Sequence, residues 1–478
     1  MKPNHIVHIS AECYPLAKAG GLADVVGALP KYQIELGVQA SVIMPRYHLP
    51  GILQREWTVV HTGSFHLGSH LLEFAVHHLS SEELGFSVFA IDIPGKFDRP
   101  GIYSDQNGDF YGDGPDRYLA FQHTALLFLD SLPEVPDIIH CHDHHTGIIP
   151  FLLKHGMGFD RFRKTPTVFT IHNGKYHGSF SWDYLYAMPF FDWQMRTLLD
   201  WGGVINPLAV GIKMAWKVTT VSPNYLNELR GDSDGLESLI QSESAKSVGI
   251  LNGIDTEVWD PASDPLISVH LKKSAHAYKK GNRDALLKAY PLDAKRPIVS
   301  FIGRFADEKA ADLLPETIHQ ALSSGIKVNF LILGSGNPWL HHALNSQRLT
   351  YRENLAIYIG YNEQLAHQIY AGSDFLLMPS RVEPCGLNQM YAMRYGTIPL
   401  VRRTGGLSDS VIDIGDADGR GIMFSNASVG DMVHALHRAE NLYHDKPGFK
   451  AIRDRIMKVD FSWQSSAKAY IELYNTLI

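Results

Sequence analysis

Short apolar runs, each followed by a polar or glycine-bearing segment and then a helix-like stretch, recur along the chain. The runs at His5–Ser10, Gln39–Met44 and Thr167–Ile171 predict strands in the first half, and those at Ile298–Ile302 and Phe375–Met378 predict strands in the second half. Strands that alternate with helices at this spacing indicate a parallel sheet with helices on both faces. The pattern therefore predicts an α/β fold with two doubly wound, Rossmann-like domains.

Length and composition agree with two domains and narrow the range of partners. The chain has 478 residues, more than one hydrophobic core usually fills. Its formal net charge is −7, which argues against nucleic acid or an anionic membrane as a partner, because both require a basic surface. The three cysteines lie far apart, and neither a leader pattern nor a long apolar run occurs. We expect a cytoplasmic bacterial protein.

The segment from Pro379 to Asp409 carries the densest candidate chemistry. The Glu383-Pro384-Cys385-Gly386 turn follows the predicted strand Phe375–Met378, and the sequence predicts a helix over Gly386–Arg394. A strand over Thr397–Val401 and a second glycine turn at Gly405-Gly406 come next. Because open α/β sheets bind ligands at strand carboxyl ends, and helix starts attract anions, we expect a diphosphate to bind here.

The same segment resembles the donor-site signature of the bacterial glycogen synthases and plant starch synthases. It reads EPCGLNQMYAMRYGTIPLVRRTGGLSD in this chain. Further motifs follow the family's order, namely KAGGL at Lys18, TIHN ending at Asn173, Arg304 with Lys309 five residues later, and FSW at Phe461. The resemblance covers essentially the whole chain. It implies the GT-B architecture, in which two Rossmann-like domains face a deep cleft, and the activity of a retaining glucosyltransferase.

The resemblance also implies roles for individual residues. The expected catalytic residues are His172, Glu383, Arg304 and Lys309. The expected donor-binding residues are Lys18, Gly20, Gly21, Asp24, Tyr361, Cys385, Gly386, Leu387 and Asn388. The expected acceptor-binding residues are Asp143, Asn173, Asn252 and Phe97. In such an enzyme the cations and N–H groups bind the diphosphate, and the backbone carbonyl of His172 stabilises positive charge on the sugar ring.

Domain boundaries follow from the same comparison. The GILNGID motif that begins at Gly249 resembles the segment that closes the family's N-terminal domain. We therefore expect an N-terminal, acceptor-side domain over 1–253, a polar linker to about Pro297 within a donor-side domain over 254–459, and a C-terminal helix over 460–478 that crosses back to the first domain. We expect a hinge at the GILNGID motif, about which the two domains close.

The resemblance implies that glucose passes from ADP-glucose to the end of an α-1,4-glucan, without a metal ion or other cofactor. Two departures from the family leave UDP-glucose open as the donor: Ala19 and Asn388 each stand where threonine is usual. Other open alternatives are a related GT-B transferase that glucosylates a small acceptor and a catalytically silent glucan-binding protein. The histidine-rich segment His140–His145 leaves a metal site as a further, weaker alternative.

Overall fold

The protein is described by a computed structural model that covers residues 3–105 and 109–478. The chain divides into two compact units. One consists of the residues up to Val221 together with Leu226–Ile250 and Trp463–Ile478, and the other of Ser222–Tyr225 and Leu251–Ser462. Before the C-terminal helix, the first unit thus extends to Ile250, where residue 253 was the expected boundary, and residues 222–225 belong to the second unit.

The first unit is built on one large, mostly parallel sheet. Its strands are β1 (His5–Ile9), β2 (Gln39–Pro45), β3 (Thr58–Leu67), β4 (His70–Leu79), β5 (Ser87–Asp92), β6 (Ile138–His142), β7 (Thr167–Ile171), β8 (Asp200–Trp201), β9 (Val204–Ile205), β10 (Lys217–Thr220) and β11 (Ser247–Gly249). The sheet order is β11-β10-β7-β6-β1-β2-β5-β4-β3, and β8 and β9 form a separate pair. Among the residues described, the antiparallel pairings in this sheet are those of β4 with β3 and with β5.

The second unit contains a fully parallel sheet. Its strands are β12 (Ile298–Phe305), β13 (Asn329–Gly336), β14 (Leu355–Ile359), β15 (Phe375–Met378), β16 (Ile398–Arg402) and β17 (Ile422–Phe424). They lie in the order β14-β13-β12-β15-β16-β17. This is the strand order of a dinucleotide-binding Rossmann sheet, so the chain reverses direction across the sheet between β12 and β15. The expected doubly wound α/β fold is confirmed for both units.

Helices connect the strands, and their apolar faces cover the sheets. They are α1 (Gly21–Glu35), α2 (Pro50–Leu53), α3 (Ser81–Leu84), α4 (Gly114–Ser131), α5 (Ile149–His155), α6 (Pro207–Met214), α7 (Pro223–Leu229), α8 (Glu237–Ser242), α9 (Ala275–Ala289), α10 (Leu314–Ser323), α11 (Pro338–Thr350), α12 (Glu363–Gly372), α13 (Asn388–Arg394), α14 (Gly405–Ser410), α15 (Val429–His444), α16 (Lys446–Ile456) and α17 (Trp463–Asn475). Among the described residues, none of these helices is both long and apolar enough to cross a bilayer.

The C-terminal helix α17 packs in the first unit, against α1. Trp463, Tyr470 and Tyr474 are buried in one apolar cluster with Val25 and Leu29 of α1. The aromatic residues of α17 recur at helical spacing, so one face of the helix is apolar. Their burial makes the end of the chain part of the first unit's core.

The segment expected to be a polar linker contains the helix α9. Ser274 caps it by accepting a hydrogen bond from the N–H of Ala277 at 3.2 Å. The helix packs against α12 and buries Tyr278, Asn282 and Leu286. Charged residues dominate its exposed face, which is why the sequence alone suggested a linker.

Candidate active site

The candidate donor site lies at the carboxyl ends of β12 and β15. These neighbouring strands are the point where the strand order reverses, which is where open α/β sheets bind their ligands. Arg304 is near the end of β12, and Lys309 closes a single 3-10 turn directly after it. Glu383 follows β15. The sheet topology therefore brings together the three predicted catalytic residues of the second unit.

Glu383 and Lys309 form a close ion pair. The Nζ atom of Lys309 donates to both carboxylate oxygens of Glu383, at 2.8 and 2.7 Å. The hydroxyl of Ser380 donates to the same carboxylate at 2.8 Å. Glu383 is nearly buried, with 6% of its surface exposed. Three charge-assisted hydrogen bonds therefore hold this carboxylate in one orientation.

Arg304 is held differently, because its side chain remains 71% exposed. Its guanidinium donates to the carboxylate of Glu308, four residues later in the chain. The turn that carries Lys309 ends at Ala310, which has a φ of 50°. This is the left-handed conformation, in which the β-carbon of an alanine is strained.

The EPCG turn is braced by the side chain of Gln389, which was not among the expected site residues. The amide nitrogen of Gln389 donates to the carbonyls of Cys385 and Gly386, at 3.2 and 2.9 Å. Asn388 donates from its side chain to the carbonyl of Ile302 in β12, at 2.9 Å. Helix α13 begins at Asn388, so the expected start at Gly386 is wrong. Gly386 has a φ of 70°, which belongs to a turn and not to a helix.

The second glycine turn packs directly on the first. A β-carbon on Gly405 would lie 1.9 Å from the carbonyl oxygen of Glu383, and one on Gly406 would lie 2.1 Å from that of Cys385. Glycine is therefore required at both positions by close backbone approach. Cys385 is buried, and burial raises the pKa of its thiol to about 12, so this cysteine is not a nucleophile at neutral pH.

Tyr361 and Asn252 also lie in the second unit. Tyr361 follows β14, and 85% of its surface is exposed. Asn252 is buried, and its backbone N–H donates to the sulfur of Cys385. The expected acceptor-side residue Asn252 is thus placed beside the expected donor turn.

In the first unit, Lys18 and the glycine loop lie between β1 and α1. The Nζ atom of Lys18 donates to Asp24 at 2.6 Å. The N–H of Gly20 donates to the carboxylate of Glu12 at 2.9 Å, so this N–H group is paired within the loop. The space beside Gly20 and Gly21 is open, since a β-carbon on either would have no atom within 4 Å. Glu12 is a residue that the motif did not reveal.

His172 stands at the carboxyl end of β7 and is held on two sides. Its backbone N–H donates to the carboxylate of Asp143 at 2.7 Å, and its ring Nε2 lies 3.0 Å from Nδ1 of His142. Asp143 itself has a φ of 56°, a strained conformation of the kind found at functional sites. Burial lowers the pKa of His172 to about 3, so its ring is neutral at working pH. Asn173 accepts a hydrogen bond from the N–H of Lys175 at 3.1 Å.

Phe97 does not have the exposed face that an acceptor-binding role requires. It is fully buried, with its ring edge-on to Tyr47 at 5.6 Å and the guanidinium of Arg117 over it at 5.6 Å. The expectation that Phe97 contacts the glucan is therefore wrong, because packing around Arg117 takes up the aromatic side chain. Residues 106–108 of the loop that follows lie outside the described residues.

Comparisons with known proteins agree with this arrangement. The family described as "Starch synthase catalytic domain" matches residues 5–242, and "Glycosyl transferases group 1" matches residues 296–441. A glycogen synthase from Flavobacterium johnsoniae is 50% identical, with 99% of each chain covered. One from Anoxybacillus flavithermus is 35% identical over 99% of this chain and 98% of its own.

Among solved structures, the catalytic domain of starch synthase IV from Arabidopsis thaliana, bound to ADP and acarbose, is 33% identical with a TM-score of 0.87, and 99% of each chain is covered. A sucrose-phosphate synthase from Thermosynechococcus elongatus, at 17% identity and a TM-score of 0.62, supports the fold alone. The agreement in sequence extends over almost the full length, and the motifs occupy the sheet positions where this fold binds ligands. The chain belongs to the glycogen and starch synthase family of GT-B glycosyltransferases.

Proposed function

We propose that the protein transfers glucose from ADP-glucose to the non-reducing end of an α-1,4-glucan, with retention of configuration. The observation that supports this most strongly is the placement of Arg304, Lys309 and Glu383 at the strand reversal of a Rossmann sheet. Two cations and an oriented carboxylate at this position suit a nucleotide diphosphate and the sugar attached to it.

Breaking the bond between the anomeric carbon and the phosphate oxygen creates negative charge on the diphosphate and positive charge on the sugar ring. We assign the diphosphate charge to Arg304, Lys309 and Lys18. The carbonyl of His172 stabilises the ring charge, and Glu383 orients the donor glucose. Fixed charges of this kind act without reorganisation during the reaction, which is what makes them effective.

The cations supply positive charge at the diphosphate, so we propose that no metal ion is needed. Transfer rates measured with purified protein before and after dialysis against a chelator test this, and we expect them to agree. A rate that falls on chelation and returns with added magnesium contradicts the proposal.

ADP-glucose is proposed as the donor because the solved starch synthase structure with TM-score 0.87 carries ADP. Initial rates with ADP-glucose and UDP-glucose, measured on a glycogen primer, test this choice. Turnover of UDP-glucose ten-fold faster, a difference of about 1.4 kcal/mol in the barrier, contradicts it.

The acceptor is tested by product size. A chain-extending enzyme lengthens maltooligosaccharides in single-glucose steps, which gel or chromatographic profiling resolves. If maltooligosaccharides remain unchanged while a sugar phosphate is glucosylated, the protein uses a small acceptor instead.

The three cysteines are all buried free thiols, which suits a reducing cytoplasm.

A further inference from the structure

A row of buried side chains in the first unit leads to His172. The Oε1 atom of Gln33 in α1 lies 2.9 Å from Nε2 of His8 in β1. Nδ1 of His8 lies 3.0 Å from Nε2 of His142, and Nδ1 of His142 lies 3.0 Å from Nε2 of His172. We call these four side chains the histidine chain. All four are buried.

A second branch leaves Gln33 from its other end. The Nε2 atom of Gln33 donates to the hydroxyl of Tyr474 in α17 at 3.3 Å. That hydroxyl lies 2.7 Å from Nδ1 of His140, whose Nε2 lies 2.6 Å from the hydroxyl of Thr170. Thr170 in turn contacts the hydroxyl of Thr219 at 2.5 Å. Gln33 is thus the junction of two branches.

The positions of the protons along the histidine chain follow from Gln33. Its Oε1 atom can only accept, so Nε2 of His8 carries a proton. A neutral ring has one proton, which leaves Nδ1 of His8 bare and requires a proton on Nε2 of His142. The same step repeated places a proton on Nε2 of His172 and leaves its Nδ1 bare. Burial lowers the pKa of each of the three rings, which keeps them neutral.

Two histidines of the histidine chain and His140 of the second branch lie close together, so a metal site is an alternative. Ring nitrogens of His8, His140 and His142 lie within 4.8 Å of one another. However, both nitrogens of each of these rings lie within 3.0 Å of a hydrogen-bond partner. A metal ion would take lone pairs that these hydrogen bonds already use. The distances therefore favour a hydrogen-bonded chain.

We infer that Gln33, His8 and His142 are positioning residues that fix the tautomer and the orientation of the His172 ring. The ring is then held by His142, while the neighbouring residue Asp143 holds the backbone N–H of His172 at 2.7 Å. Both holding residues come from the carboxyl end of β6, which is paired with β7. His172, whose carbonyl is proposed to face the sugar ring, is thus held at both its side chain and its backbone N–H. The inference rests on the proposed role of His172 in glucosyl transfer.

The test uses the full chain with ¹⁵N-labelled histidine, because ring ¹⁵N shifts distinguish the two neutral tautomers. In the wild-type protein we expect His8, His142 and His172 each to be protonated on Nε2. Single histidine substitutions assign the signals. A proton on Nδ1 of His172 overturns the inference without any variant being needed. This readout does not depend on glucosyl transfer, so it separates a failure of the inference from a failure of the proposed function.

Substitutions then test whether Gln33 determines which ring nitrogens of the histidine chain carry a proton. In Gln33→Leu we expect His172 to lose its single tautomer and kcat to fall about ten-fold, with KM for the donor changed less than two-fold. Thr219→Val is the matched control, because it removes a buried hydroxyl from the second branch and leaves the histidine chain intact. His5, which bonds Ser41 instead, provides an unchanged internal signal. An unchanged His172 tautomer in Gln33→Leu overturns the inference.

Discussion

Breaking the ion pair between Lys309 and Glu383 is predicted to have two opposite effects: ADP binds more tightly, and glucosyl transfer slows. Glu383→Gln keeps the shape of the side chain but removes its charge. In the wild-type protein both carboxylate oxygens accept from Lys309, at 2.8 and 2.7 Å. The variant therefore leaves the ammonium group of Lys309 without its charged partner. We expect ADP to bind more tightly, because its diphosphate no longer shares Lys309 with a carboxylate.

The size of this effect follows from the burial of the pair. The side chains of Lys309 and Glu383 are 26% and 8% exposed, so the pair is partly screened by solvent. A hydrogen bond to a charged group in this setting contributes about 1.4 kcal/mol, which is about ten-fold in Kd. Glucosyl transfer should slow in the same variant, by on the order of a hundred-fold in kcat, because Glu383 no longer orients the donor glucose.

Calorimetric titration with ADP at fixed ionic strength measures the first effect, and initial rates on a glycogen primer measure the second. Glu308→Gln is the matched control, since it makes the same chemical change beside the exposed Arg304. There we expect the Kd for ADP to change less than two-fold. Weaker ADP binding in Glu383→Gln shows that Lys309 does not face the phosphates. A wild-type kcat shows that Glu383 lies outside the site.

Three further predictions concern single positions. Tyr361→Ala should raise KM for the donor about ten-fold with little change in kcat, because a base loses its stacking partner, whereas Tyr361→Phe should match the wild type in the same rate assay. Gly405→Ala should abolish most transfer and lower the thermal midpoint, since its β-carbon would meet the carbonyl of Glu383, whereas Gly430→Ala, where no atom lies within 4 Å, should do neither. Burial raises the pKa of Asp143 from 3.8 to about 7, so its folded form keeps a proton that the unfolded form loses. Its contribution to stability therefore falls as pH rises from about 4 to 7, by up to about 4 kcal/mol, and denaturant titrations of Asp143→Asn should show a smaller decline over this range.

Apolar runs predicted the central strands well, because a strand that is buried on both faces consists mostly of apolar residues. β7 and β15 have the predicted bounds. The antiparallel pair β3 and β4 was not predicted. Val59, Val60 and Leu71 are among its exposed apolar residues, so the clean alternation that marks a half-buried strand is missing. Edge strands of this kind depend on pairing with a neighbour, which a single sequence does not display.

The motifs predicted which residues form the candidate site. They did not predict the hydrogen bonds and the burial of these residues, because both depend on neighbouring side chains. The motif identified Lys18 and Gly20, but their hydrogen bonds to Asp24 and Glu12 depend on how the loop folds. Phe97 illustrates the opposite failure, since the motif suggested a sugar contact and packing buries the ring. A motif records which residue types occur together. It does not record which of them solvent can reach.

Each cation proposed to bind the diphosphate is held by a carboxylate of its own unit. The pairs are Lys18 with Asp24, Arg304 with Glu308, and Lys309 with Glu383. These carboxylates place the cations and also reduce their attraction for simple anions, because an incoming ion must compete with a partner already in contact. A diphosphate brings several negative charges on one rigid group and can engage more than one cation at once, whereas chloride or a single carboxylate cannot. We therefore expect the paired carboxylates to contribute to selectivity for a nucleotide diphosphate, and the tighter ADP binding predicted for Glu383→Gln tests the competition at Lys309.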